Sequence, residues 1–510
     1  MSDSLHASWL RGVAFNTAAP SDVLIRLVGE AAGETGLLMC EGRDLPDPVV
    51  DAILRHPAAR IRRALARNRY VDPARLTPLA RDPSGIVRGW LAGGPRPRPR
   101  RVRPLPDDII VSLLTAEDGG EDRMLTAGEI AAELDSSRQI PASFHRSMAG
   151  REHPALRIRA TRRWQSLPPA ERARLLEDPD PEVRKEAQGS TWVLDPARVE
   201  ARLPSVGSLS RPHVLGTCAL SPALVERCFA DGPVYPLTWN RHTPADAVAR
   251  LARHPDARVR ASVAARPDLT PDLAAELGED PDEAVRTAAR LHPFPRTWAE
   301  YRAIRRVDQH GSDCTCPIIE PGVGADPVPD PEADSGWDTE PSPDWLAACA
   351  GSEEPVLRRV AASRPGLPAE LVAVLALDDD EAVRIQLACN HPLAPPRLLL
   401  DVFVARPAHR PHLLALPAFP RTGVSHLVDH PDPEVRALAA ADPALAHPPV
   451  RDPDPAVRRA AAANPGLTTE ALEALLADPG TAEGAAANPS LPVPRMHALL
   501  DRGLRGAGAV

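Results

Sequence analysis

Apolar residues recur along this chain in one frame: a Val, Ile or Leu directly followed by Arg, usually with an acid three residues before it and a Pro eight after it. Ile61, Val87, Ile158, Val183, Val259, Val285, Leu357, Val383, Val435 and Val457 carry the frame. Neighbouring copies mostly lie one or two steps of 22 to 26 residues apart, and the three wider gaps are near three such steps. A period in this range means stacked supersecondary units rather than one globular core. The clearest copies are HPDARVRASVAARPDLTPDLAAEL, from His254, and DPDPAVRRAAAANPGLTTEALEALL, from Asp452. In each, an acid fits the N-cap, and in the Asp-Pro copies Pro opens the first turn, where its missing N–H has no helical partner. Val259 and Val263 fall at i, i+4 and point inward, whereas Arg260 stands four residues after Asp256 in the favourable acid-before-base order. Acids hold that place at Asp180, Asp256, Asp282, Glu354, Asp380, Asp432 and Asp454. Pro267 or Pro465 ends the helix, Leu269 or Leu467 plugs the core, and a Thr or Ser caps the second helix, whose Leu273 and Leu277, or Leu472, Leu475 and Leu476, face inward.

The recurring D-P-D-x-x-V-R-x-x-x-A-x-[RN]-P-x-L-[TP]-x-[DE]-x-L-x-x-L pattern resembles the leucine-rich repeat variant family, a bacterial class related in shape to HEAT-like arrays. The resemblance covers Glu152 to Val510 apart from one insertion, and Asp47 to Gly94. It thins over Pro104 to Gly150, where the Val-Arg landmark is missing. It implies an all-α, right-handed α-solenoid of ~25-residue repeats. The expected organisation is N-terminal degenerate repeats over 1–103 ending in an Arg/Pro linker, a divergent helical segment over 104–150 and a repeat array over 151–306. An acidic Pro/Gly-rich insertion over 307–343, expected to be disordered, and a C-terminal array over 344–510 complete it. The family is a scaffold class, so the resemblance names no ligand.

Composition changes the picture in three places. All basic residues but Lys185 are Arg, and with the high Ala and Pro content this fits GC-rich coding, so arginine enrichment is not evidence of nucleic-acid binding. The net charge of −9 argues against a general polyanion binder. The local exception, Arg96, Arg98, Arg100, Arg101 and Arg103, is interleaved with Pro and reads as a linker. No signal peptide or long apolar run is visible, which predicts a cytoplasmic protein. Seven scattered Cys fit reduced thiols.

Nucleotide-loop, nucleophile-elbow and zinc-protease signatures are missing from the sequence, and the acids recur with the repeat, which favours capping over catalysis. Each Arg after the Val anchor reads as an intrahelical or inter-repeat ion-pair partner. The alternative is a ladder of arginines that together bind a carboxylate or phosphate. Cys228 and Cys349 take the place of the core Leu277. The candidate metal ligands are Cys314 and Cys316, in a C-x-C-P at the head of the insertion, with Cys349, Cys389 and His391 the nearest partners in repeat order. A thiolate-rich set of this kind suits Zn or an iron–sulfur cluster. A metal-free protein is the expectation, because Cys349 would have to leave its core layer to reach a metal. The resemblance includes an iron–sulfur module ahead of the repeats, but Cys40 is the lone cysteine in the corresponding part of this chain. The functional expectation is therefore a non-enzymatic scaffold without cofactor that binds a macromolecular partner, most naturally protein. The alternatives are a HEAT-like nucleic-acid or base-repair protein, and a metal or redox sensor using Cys314 and Cys316.

Overall fold

The computed structural model describes residues 2–29, 33–96, 103–116, 125–137, 139–292, 297–308 and 341–507. Residues 97–102, with Arg98, Arg100 and Arg101, and residues 309–340, with Cys314, Cys316 and nearly all of the acidic insertion, lie outside that range. The described residues are helices joined by turns, with no strand among them. No described helix is long and apolar enough to cross a membrane.

The repeat is two short helices, as at Ala257–Ala264 and Pro271–Gly278. The carboxylate of Asp256 accepts from the N–H of Arg258, and the hydroxyl of Thr270 accepts from Leu273, so both helices are capped as their sequences predict. Val259, Val263, Leu273 and Leu277 are buried together with Leu251 and Val285 of the adjoining repeats. A single repeat lacks the apolar area to hold itself, and stacking supplies the missing wall. Two expectations fail locally. Glu354 makes no side-chain cap, having replaced Asp with a longer side chain. The anchor predicted at Ile158 is Leu156, which is buried while Ile158 is half-exposed.

That shift of register is visible because the arginine after the anchor has a fixed task, and Arg157, not Arg159, performs it. Arg62, Arg157, Arg260, Arg358 and Arg436 each form a two-pronged ion pair with an aspartate at the start of the next repeat: Asp82, Asp178, Asp280, Asp378 and Asp452. Arg260 is typical, with its Nε 2.8 Å and its Nη2 3.0 Å from the two oxygens of Asp280. Its remaining Nη1 donates to the carbonyls of His254 and Pro255. The partner is thus inter-repeat Asp280, and Asp256 four residues away is left to cap the helix. The same aspartate also accepts the N–H two residues on, which folds the turn into the next helix. Each Arg therefore links two turns, and the pairs recur at near-regular intervals.

Hydrogen bonds from Arg260 hold the Asp280 carboxyl below the usual carboxylate range, and Arg436 does the same to Asp452. A carboxylate whose folded pKa is depressed contributes stability above its unfolded value of about 3.9, and that contribution is lost as the pH falls through the folded value. Asp280→Asn is expected to destabilise the repeats around it by about 1–2 kcal/mol at pH 7, with the difference from the parent shrinking below about pH 4. Urea unfolding at pH 7 and at pH 3 checks this, and an equal difference at both would show that the charge is not involved.

The chain divides into two compact units: Met1–Gln139 with Leu399–Val510, and Ile140–Leu398. Both chain ends belong to the first unit. The helix Ser2–Phe15 packs on the helices Ala482–Ala487 and Val493–Ala507. Arg11 pairs with Glu483, Arg26 with Asp501, and Trp9 donates its indole N–H to the carbonyl of Leu476 at 2.9 Å. A line of polar side chains runs through the junction without a break. Asn464 donates to the carbonyl of Asp442, Asn488 to Asn464, Asn16 to Asn488, Arg43 to Asn16 and Asn68 to Arg43. Every Asn of this line is buried and also reaches a second carbonyl. The start of the chain thus continues the stack that the end of the chain leaves open.

Candidate interaction surface

The metal-ligand expectation meets a core. Cys349 lies buried in the helix Pro343–Ala350, where burial pushes its thiol up to about 12, so the thiolate that a metal needs is disfavoured. Cys389 is buried in the helix Glu381–Asn390. His391 is also buried, and its Nδ1 accepts from the N–H of Leu393 at 3.1 Å. His56, His153, His254 and His430 also accept from the residue two positions on, but in turns that lead into a first helix rather than out of one. His391 is therefore a turn-forming residue at the end of a first helix, before the Pro between the two helices, where Asn464 accepts in the same way from Gly466. Among the described residues no group of three His, Cys, Asp or Glu is placed to hold a metal ion.

The remaining titratable candidates are similarly bound into the repeats. Burial, with help from Arg163 and Arg159, lowers His145 to about 3, and burial with Arg241 and Arg172 lowers His242 to about 4. Both rings are neutral near pH 7 and poor proton donors there.

Sequence reading overlooked Arg266, the largest of the fully enclosed side chains among the described residues. Its Nη1 donates to the carbonyls of Thr238 and Asn240, at 2.9 and 3.0 Å, and its Nε and Nη2 grip Asp268. Asn240 makes the same kind of link one repeat earlier, to Leu215 and Cys218. The Asn-or-Arg before Pro in the repeat pattern was the available signal: a polar residue repeated at a position flanked by core residues must have buried partners to satisfy.

With the periodic charges spoken for, one place departs from the pattern. Arg63 and Arg67, one helical turn apart at the helix Ala59–Ala66 and its C-cap, lie over the ring of Trp90 from the helix Gly85–Gly93. Their guanidinium carbons are 4.7 and 3.5 Å from the ring centroid. All three side chains are half-exposed. Arg67 is held below the usual arginine range by burial first and then by Arg96, and its Nε has no hydrogen-bond partner among the described residues. Two acids act on Arg67 from outside ion-pair distance, Glu41 and Glu133, and Glu133 is in contact with Arg96 at 3.4 Å.

Comparison with other repeats shows how the place was made. Arg359 occupies the position of Arg63 and pairs with Asp380, the N-cap of the next helix, at 3.2 Å. The corresponding N-cap after Arg63 is Ser84, which has no carboxylate to offer. Arg67 stands where other copies have Ala265, Ser363 or Ala463, and Trp90 where they have Ala288, Gln386 or Ala460. Three departures from the repeat meet at one point of the surface. A search of protein-family models and a search of curated proteins give no match to this chain.

Proposed function

We propose that the chain is a non-enzymatic repeat scaffold that binds a partner protein through the surface of its stacked helices, with no catalytic centre and no bound cofactor. In this reading the repeats are of the leucine-rich repeat variant type and coil in a right-handed sense. The observation that carries it is the division of labour among the charges. Those that recur with the repeat, such as Arg260 with Asp280, are used up in joining one repeat to the next. The charges that depart from it, at Arg63 and Arg67, lie half-exposed on an aromatic ring with no carboxylate in ion-pair distance among the described residues. Scaffolds of stacked repeats separate their residues in this way, with a constant stitching set and a variable surface set.

Affinity capture from the native host with the full-length chain as bait, performed with and without nuclease, tests the reading. Specific proteins retained after nuclease treatment are the expected result. Recovery of nucleic acid alone, with the proteins lost on nuclease treatment, would replace it by a nucleic-acid-binding function.

A further inference from the structure

We propose that Arg63 and Arg67, stacked on Trp90, form a docking site for an acidic peptide segment of the partner protein. This rests on the scaffold reading and names the chemistry that one part of its surface selects.

Two guanidinium groups held over one indole repel each other, and half-burial removes part of the water that would screen them. The stacking itself recovers some of this cost through the negative face of the ring. The arrangement is completed by an anion, and the repeat shows which kind is missing: where Arg359 receives the carboxylate of the N-cap Asp380, the N-cap that follows Arg63 is Ser84. A carboxylate from outside the chain restores the missing half of that pair. A guanidinium stacked by its face keeps its N–H groups off the ring, and where they reach solvent, as the enclosed Nε of Arg67 does not, they match a carboxylate two at a time. The two arginines are one helical turn apart, a separation that neighbouring acidic side chains of a peptide reach without strain.

A nucleic-acid strand fits the same groups less well. Single-stranded binding draws much of its affinity from bases stacking on exposed aromatic faces, and here guanidinium groups lie over the ring of Trp90. Phosphate binding along a strand also profits from an extended basic track. At this site Glu133 already takes up Arg96, and Glu41 lies close enough to act on Arg67.

The test uses full-length protein and fluorescein-labelled hexaglutamate, read by fluorescence anisotropy at low salt, with a dodecamer of deoxythymidine as the competing class of ligand. Saturable hexaglutamate binding that weakens as salt is added is expected. The double variant Arg63→Gln, Arg67→Gln is expected to lose about tenfold or more in affinity while keeping its helical circular dichroism. Ser84→Asp provides a second line that removes nothing from the site. It supplies an N-cap acid like that of Asp380, so it is expected to hold or raise the melting temperature while weakening hexaglutamate several-fold by occupying Arg63 internally. Hexaglutamate binding unchanged in both variants, or no binding at all, overturns the proposal. Tighter binding of the thymidine dodecamer, lost in the same variants, overturns it in favour of a nucleic acid. A partner captured from the host equally well by the double variant removes this site and leaves the scaffold reading intact.

Discussion

Replacing Arg266 with Ala is expected to cost the second unit about 3–5 kcal/mol, a large share of the stability of an ordinary domain. The side chain is fully enclosed, and its loss leaves the carbonyls of Thr238 and Asn240 without a donor that they now have at 2.9 and 3.0 Å. Each unsatisfied buried group costs about 1–3 kcal/mol, and the emptied volume adds a cavity term. The bond to Asp268 weighs less, because that carboxylate is partly exposed and can return to water. The decisive comparison is Arg266→Asn. At the matching place in the first unit Asn464 performs the carbonyl-linking task, reaching Ala440 and Asp442, so the shorter side chain is long enough for it. Arg266→Asn is therefore expected to recover a substantial part of the loss seen with Ala, although it gives up Asp268. Chemical denaturation of both variants measures this. If Asn is no better than Ala, the carbonyl bonds are not what makes Arg266 important.

Gly12→Ala is expected to free the helix Ser2–Phe15 from the last repeats, even though Ala favours a helix over Gly by about 1 kcal/mol. A Cβ at residue 12 would stand 2.3 Å from the carbonyl oxygen of Glu483 and 2.5 Å from the Cβ of Ala486. Neither atom is the end of a flexible side chain, so the helices themselves must separate. Separation exposes the Asn16 bonds to Ala486 and Asn488, and the Trp9 bond to Leu476. Losses of this kind, at about 1 kcal/mol for each bond and more for the apolar contact, outweigh the gain in helix propensity. Hydrogen exchange locates the effect: protection should fall in both Ser2–Phe15 and Ala482–Ala487, which lie at opposite ends of the chain. Unchanged protection in both would show that the junction adjusts without opening.

These two expectations also mark where sequence reading stops. Capping by Asp256 and Thr270, burial of Val259 and Leu277, and an all-α chain were legible because each depends on residues within a turn or two of one another, where spacing alone decides which side chains meet. The same reasoning misplaced the anchor at Ile158 instead of Leu156, since LRIRAT offers two apolar-Arg pairs and only packing chooses between them. It left Arg260 either an intrahelical partner, with Asp256 four residues away, or an inter-repeat one, and the two-pronged partner is the inter-repeat Asp280. A local pair is only one of the options for a long side chain. The rise and offset of the next repeat bring a second carboxylate within reach, and bidentate geometry favours it.

The candidate site was partly written in the sequence. The repeat pattern displays Ser84, Arg67 and Trp90 as departures, but that they meet is a result of stacking, because Arg63 and Trp90 belong to successive repeats. Of the metal candidates, Cys349 and His391 have the residue types of ligands and stand in a core position and a turn, while Cys314 and Cys316 lie outside the described residues.

By itself, then, the sequence determined the unit of construction: helix starts, helix stops and the inward face of each repeat, all of which follow from short-range capping and the 3.6-residue period. Tertiary structure alone decided which repeats adjoin. The period is the same everywhere and so says nothing about whether the first repeat is an end or a continuation. Asn16 hydrogen-bonded to Asn488, with Gly12 allowing the close approach, answers that question through contacts between the two ends of the chain, which no local pattern records.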